Sequence, residues 1–407
     1  MRHVIIGAGP AGINAAKTIR GMRPDDEIVV ISKDKYVHSR CMLHKYISGE
    51  RNERTVDFAD ENFFETERIE WKSEVAVTGI DAAGKKIICD KGDMTYDKLL
   101  IATGADSVIP PIGAMRAAPN VFGLRNLDDA QKIRGLAANA KKVVIVGAGL
   151  VGMDAAYALL ELGKTVSVVE MMTCVMAINM DAYAAGAYQK RFEDAGCSFY
   201  LGKKVCGTGT SGDLVTSIEL ESGESLECDM VIVAVGVRPS VGFLAGSGIE
   251  VERSVKVDAH LRTNDPDVYA AGDAAGLSGI WPNAVKQGVT AAKNMCGENV
   301  TYDDIYALKN TVNFFGLATL SIGINAPEDG DHVEIREDRR NYKRVIMRNK
   351  TVKGILLQGD IRYSGFWQHL VKNEINVSDI KKSVFDITYG DFYGVDARGQ
   401  YEWRVSA

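Results

Sequence analysis

Two glycine triads, Gly7, Gly9, Gly12 and Gly147, Gly149, Gly152, stand 140 residues apart in nearly the same words, VIIGAGPAG from Val4 and VIVGAGLVG from Val144. Each reads G-x-G-x-x-G between a run of β-branched residues and an alanine-rich stretch, the setting of a buried strand, a tight turn and a helix. The first glycine permits the turn, the second lets the backbone approach a pyrophosphate, and the third lets helix pack on strand. The phosphates then sit on the helix N-terminus. Pro10 and Ala11 open the first helix, Leu150 and Val151 the second. Two such units in one chain imply two dinucleotides, one handing electrons to the other. Glu170 ends VSVVE, 18 residues after Gly152, where a carboxylate accepts the two ribose hydroxyls and repels a 2′-phosphate. Met171 and Met172 follow with no arginine to receive that phosphate, so NADH is expected over NADPH.

The elements around these residues divide the 407-residue chain, which is long for one core. A first unit over 1–111 ends in YDKLLIATGA, a buried strand stopping at Ala102, Thr103 and Gly104. Prolines 110, 111 and 119 mark a connection. A second unit over 112–240 closes with MVIVAVG, from Met230 to Gly236. Residues 241–305 carry TNDPDVYAAGDAA, with its corner at Gly272 and Asp273, and a helical pattern from Asn283 to about Met295. From 306 to 407 the segments HVEIRED, YKRVIMRN and VKGILLQGD read as antiparallel strands of an α+β domain. The expected fold class is α/β: two Rossmann-like nucleotide-binding domains and a C-terminal α+β interface domain.

A net charge of −6 and 46 % apolar residues give no global attraction to nucleic acid or an anionic membrane. No apolar stretch reaches the roughly 18 residues that span a bilayer, and MRHVIIGAG reads as a strand, not a signal peptide. A soluble, cytoplasmic protein is expected. The seven cysteines are odd in number and scattered, which argues against a disulfide scaffold, a zinc site or a cysteine-ligated cluster; no metal site is expected.

With ATG at Ala102 to Gly104, Gly272-Asp273, and two triads in this order, the chain resembles the FAD-dependent pyridine nucleotide-disulfide oxidoreductases over essentially its whole length. The resemblance implies FAD in the first fold, NAD(H) in the second with Gly236 at its edge, and a return of the chain to complete the FAD domain. It implies that Asp273 hydrogen-bonds the ribityl chain of FAD. The dithiol of the thiol branches is missing. Instead, SRCMLHKYISG from Ser39 resembles the R-P-P-L-S-K stretch of rubredoxin, ferredoxin and apoptosis-inducing-factor-like reductases. Arg40 takes the arginine position, Lys45 that of the lysine beside flavin N5, and Asp154 that of the glutamate that partners it. Trp281, in WPNAVKQG, takes the place of a tryptophan beside the isoalloxazine, and Arg125, in GLRNLDDA, that of an arginine close to FAD. Ser32 departs from the family, which puts a glutamate on the adenosine ribose there; Asp34 is one substitute, water and backbone another.

Cys41 lies near the single redox cysteine of coenzyme A disulfide reductases and NADH oxidases, but the histidine those enzymes carry in the first glycine motif is Pro10 here. Cys41 is read as a small buried side chain, with a redox role as the alternative. The resemblance therefore implies an NADH-linked electron transferase serving a small iron–sulfur protein, rubredoxin or ferredoxin-like, in either direction; some such relatives work beside carbon monoxide dehydrogenase. The alternatives are a single-cysteine NADH oxidase or coenzyme A disulfide reductase, and a flavin-bound redox sensor or interaction protein. A monomer or homodimer is expected. A basic run, Arg336, Arg339, Arg340, Lys343 and Arg344, with Lys381 and Lys382, reads as a solvated face or as a docking patch for an acidic acceptor.

Overall fold

The computed structural model describes residues 1–304 and 309–403, in two compact units, Met1–Met171 with Gly196–Ile305 and Met172–Ala195 with Tyr306–Ala407. In the first unit, five parallel strands run in the order Val268–Ala270, Lys98–Ile101, Arg2–Ile6, Glu27–Ile31, Glu70–Lys72. The central strand is continuously apolar, with Val4 and Ile5 fully buried, as a parallel strand covered on both faces must be. The chain builds this sheet twice. A second set of parallel strands runs Cys197–Leu201, Thr165–Glu170, Lys142–Val146, Met230–Val233, Val121–Gly123.

The repetition extends to the turns. Gly7 donates its amide to Ile31 at 2.8 Å, and Gly147 donates to Val169 at 2.8 Å. Helices Pro10–Met22 and Leu150–Glu161 follow, with Gly9 and Gly149 as N-caps that supply no side-chain cap. Helix Trp281–Met295 packs on the first of these. Gly288 allows the approach, because a Cβ there would lie 2.1 Å from the carbonyl oxygen of Ala11.

The second unit is a five-stranded antiparallel sheet, ordered Lys309–Phe314, Leu317–Gly323, Thr351–Gln358, Tyr342–Arg348, His332–Glu337. Helix Ser364–Lys372 packs Phe366, Trp367, Leu370 and Val371 against Leu320, Val345, Ile355 and Leu357. Helix Ala182–Asp194, which lies within 112–240, clusters with this sheet: Tyr188 donates its hydroxyl to the Leu317 carbonyl at 2.7 Å, and Phe192 packs edge-on against Phe314. Among the described residues no helix is long and apolar enough to cross a membrane.

Candidate active site

The first glycine turn is shaped by what cannot fit. Gly7 has φ +113°, where L side chains rarely go, and a Cβ there would meet the Ala102 carbonyl oxygen at 2.2 Å. A Cβ on Gly12 would lie 1.9 Å from the oxygen of Gly7, whereas beside Gly9 nothing lies within 4 Å. The open position faces the start of helix Pro10–Met22, whose first amides have no intrahelical partners, so an anion can approach there. Two hollows, of about 260 Å³ and about 90 Å³, share Gly9, Arg40 and Ala102 and so form one crevice. It runs from Ser32, Asp34 and Thr103 at one end to Cys41, Arg125, Asp273 and Trp281 at the other.

Most of the polar residues of the crevice hold one another. Ser32 accepts the Asp34 amide on its hydroxyl at 3.1 Å, which turns Ser32 into the loop and leaves the Asp34 carboxylate lining the hollow, 3.8 Å from Arg40. Arg40 donates to the Arg125 carbonyl at 2.7 Å and to Asn126. Its burial and the neighbouring Arg125 guanidinium lower its pKa. Arg125 donates to the Ala105 carbonyl at 3.0 Å and forms an ion pair with Asp273 Oδ2. Thr103 closes the rim by donating to the Ser240 carbonyl at 2.8 Å. Trp281 stands edge-on to Phe58, centroids 4.7 Å apart.

Two roles went unseen in the sequence. Gln287, fully buried, accepts the Gly272 amide on Oε1 at 2.8 Å and so fixes the turn that presents Asp273; Gly288 lets its helix close on Ala11. Both belong to WPNAVKQG, so the signal lay in the motif already used to place Trp281.

Lys45 and Asp154 depart from expectation, for neither lines the crevice. Lys45, on helix Leu43–Ser48, pairs through Nζ with Glu50 Oε1 at 2.7 Å and not with Asp154. Gly49, at φ +86°, ends the helix left-handed and brings Glu50 within reach, while Asp154 is one methylene shorter than the glutamate the family places there. The residue beside Asp154 is His44, with Nδ1 3.6 Å from Oδ1. Burial pushes Asp154 up to about 8 and, with Lys45 adjacent, pushes His44 down to about 4. Cys41, expected to be buried, is exposed: the turn Arg40–Met42 packs Arg40 away and leaves Cys41 opening into the crevice. Crowding there and the nearby Asp154 raise its pKa, which keeps it a thiol.

The second glycine turn repeats the first. Gly147 has φ +105°, with Ala234 oxygen 2.4 Å from a would-be Cβ; a Cβ on Gly152 would lie 1.9 Å from Gly147 oxygen; beside Gly149 nothing lies within 4 Å. Leu150 and Val151 begin the helix, and Gly236, at φ +120°, turns the chain after the strand Met230–Val233. Glu170 accepts the Ala148 amide on Oε2 at 2.7 Å, which fixes its carboxylate at the glycine turn.

Residues 1–288 match the family model for pyridine nucleotide-disulphide oxidoreductases. The chain is 30 % identical, over 395 residues and 93 % of each chain, to the NADH-dependent phenylglyoxylate dehydrogenase subunit epsilon of Aromatoleum evansii. It is 32 % identical over 303 residues, 72 % of this chain and 78 % of the relative, to the rubredoxin-NAD(+) reductase of Alcanivorax borkumensis. It spans about half the length of two longer curated relatives, 48 % and 51 %. Among solved structures, a ferredoxin reductase from Rhodopseudomonas palustris superimposes with a TM-score of 0.84 at 26 % identity, over 92 % of this chain and 95 % of that one. The residues present fit the two cofactors of such enzymes. Gly9 and Gly149 leave backbone open for a pyrophosphate, and Asp34, Asp273 and Glu170 offer carboxylates to sugar hydroxyls.

Proposed function

The chain belongs to the pyridine nucleotide-disulphide oxidoreductase family, an FAD- and NAD(H)-dependent oxidoreductase, and on that premise we propose that it passes electrons between NADH and a small iron–sulfur protein of the rubredoxin or ferredoxin kind. The observation that carries this reading is the crevice's single thiol. Of seven cysteines only Cys41 lines it, and that thiol is held protonated, so no pair stands ready to form the disulfide through which the thiol branches relay electrons. FAD, when bound, supplies a ring that accepts two electrons from NADH and releases them singly.

The residues of the chain then have distinct tasks. The amides after Gly9 and Gly149 hold the pyrophosphates, and Glu170 selects the ribose without a 2′-phosphate. Asp273, fixed by Arg125 and by the Gln287-held turn, binds sugar hydroxyls, and Trp281 shields the ring end of the crevice from water. The relatives support a protein acceptor, since one is a dehydrogenase subunit and another a rubredoxin reductase.

The exposure of Cys41 to the crevice favours a second reading, a single-cysteine NADH oxidase or coenzyme A disulfide reductase. Steady-state turnover of the FAD-loaded protein with NADH and, in turn, rubredoxin, ferredoxin, oxygen and coenzyme A disulfide decides between them. The iron–sulfur acceptors should give the highest kcat/KM. Turnover confined to oxygen or the disulfide would replace the first reading by the second.

A further inference from the structure

We propose that Asn126 is a positioning residue of the FAD crevice: a neutral acceptor at the start of helix Leu127–Ala137, it holds the Arg40 guanidinium without discharging it and so reserves that charge for the diphosphate of the cofactor. The inference rests on the chain taking FAD.

Three cations line the crevice, Lys33, Arg40 and Arg125. Lys33 meets Asp106 at 3.1 Å and Arg125 forms an ion pair with Asp273, so both are already compensated. Arg40 is not. Its side chain is only 20 % exposed, yet the carboxylate that pairs with it, Asp34, stands 3.8 Å away, beyond hydrogen-bonding length. What Arg40 meets at bonding distance is neutral: its Nη1 donates to the Arg125 carbonyl at 2.7 Å and to the side-chain oxygen of Asn126. Among the described residues Nε and Nη2 make no hydrogen bond. Burial and the Arg125 guanidinium act against the charge, while Asp34, Asp273 and Asp106 act for it. A guanidinium taken largely out of water is costly until an anion comes to it.

The place is where an anion would pass. Arg40 and Gly9 each line both hollows, so the guanidinium and the open helix start stand where the two meet. In FAD the diphosphate is the part that joins the adenosine half to the flavin half, and a helix N-terminus favours it.

The loop that holds Arg40 is itself fixed. Asp129 accepts the amides of Arg125 at 2.9 Å and Asn126 at 3.0 Å, and the Asn126 carbonyl accepts the Ala130 amide at 3.2 Å. Asn126 is the N-cap of the helix, a position that asparagine, aspartate and serine fill about equally well. The helix by itself would therefore accept an aspartate, and its dipole would favour one. Arg40 is what separates the two residues. A carboxylate at 126 would close an ion pair on the guanidinium and set a negative charge beside the diphosphate.

Calorimetric titration of the full chain, freed of flavin, with FAD, ADP and adenosine tests this. Asn126→Asp should raise the Kd for FAD and for ADP by about tenfold or more, leave that for adenosine within about twofold, and leave the Tm of the flavin-free protein unchanged or higher. Asn126→Ser, which keeps a cap but is one atom shorter, should raise the first two by about threefold. In an Arg40→Met background the further change Asn126→Asp should cost about threefold or less, since the guanidinium it discharges is gone. Wild-type affinity for FAD and ADP in Asn126→Asp, equal losses for ADP and adenosine, or an undiminished effect in Arg40→Met overturns the proposal. If Asn126→Asp does not fold, the comparison of ADP with adenosine on Asn126→Ser decides in its place. A wild type that takes ADP but not FAD would overturn the cofactor reading instead, and the ADP arm still decides on Asn126.

Discussion

Glu170→Gln separates charge from hydrogen bonding at the second nucleotide site. The side chain accepts the Ala148 amide at 2.7 Å, so it stands at the glycine turn before any ligand arrives, and a glutamine keeps an oxygen for that amide. What the substitution removes is the negative charge. Two unit charges about 4 Å apart interact by about 4 kcal/mol at an effective dielectric constant of about 20. Glu170 is half-buried at a strand end, and physiological salt screens over about 8 Å, which together leave roughly half, about 2 kcal/mol, as the repulsion of a 2′-phosphate. That energy is a factor of about 30. The expected result is therefore a wild type that strongly prefers NADH and a Glu170→Gln variant whose ratio of kcat/KM for NADH over NADPH is about 30-fold smaller, mostly through a gain with NADPH. Glu170→Ala should in addition lose about tenfold with NADH, since the Ala148 amide and the ribose hydroxyls lose an acceptor at about 1–2 kcal/mol. Initial rates with ferricyanide as acceptor measure all three. A wild type that prefers NADPH, or a glutamine variant with an unchanged ratio, would refute the reasoning.

Gln287→Leu should leave the Gly272 amide buried without an acceptor, at about 1–3 kcal/mol, and loosen the turn that carries Asp273; FAD content after gel filtration and Tm should both fall, and a variant that keeps both would remove Gln287 from the site. Cys41→Ser should leave NADH-driven reduction of one-electron acceptors nearly intact, and reductive titration of the wild type should consume two electrons per chain; a requirement for four would favour the single-cysteine enzyme. In the C-terminal unit the basic run is largely spent internally, Arg336 on Asp386 at 2.6 Å, Arg344 on Asp181 at 3.0 Å and Lys382 on Asp391. Arg339, Arg340 and Lys343 have no ion pair among the described residues, so reversing these three charges should lower kcat/KM for an iron–sulfur acceptor and weaken its salt dependence while ferricyanide reduction stays the same. An acceptor rate indifferent to both salt and reversal would locate docking elsewhere.

What was legible in the sequence is what local sterics dictate. Gly7 and Gly12 are forced by carbonyl oxygens about 2 Å from any Cβ, and those contacts arise within one strand-turn-helix unit or from the strand beside it, so the constraint shows as a spacing. The roles of Gln287 and Gly288 depend on Gly272 and Ala11, which lie far away in the chain, and no spacing displays them. Likewise helix Ala182–Asp194 reads as part of a nucleotide fold by position, but Tyr188 and Phe192 take their partners from the C-terminal sheet. Lys45 illustrates a different limit. A motif fixes where its Cα stands, while a flexible stem and a left-handed turn at Gly49 decide which carboxylate its ammonium meets. His44, before the lysine, and Asp154, at the glutamate position, look unrelated in the sequence. In space they adjoin: the shorter acid does not meet the lysine, and the side chain beside it is an imidazole that burial keeps neutral.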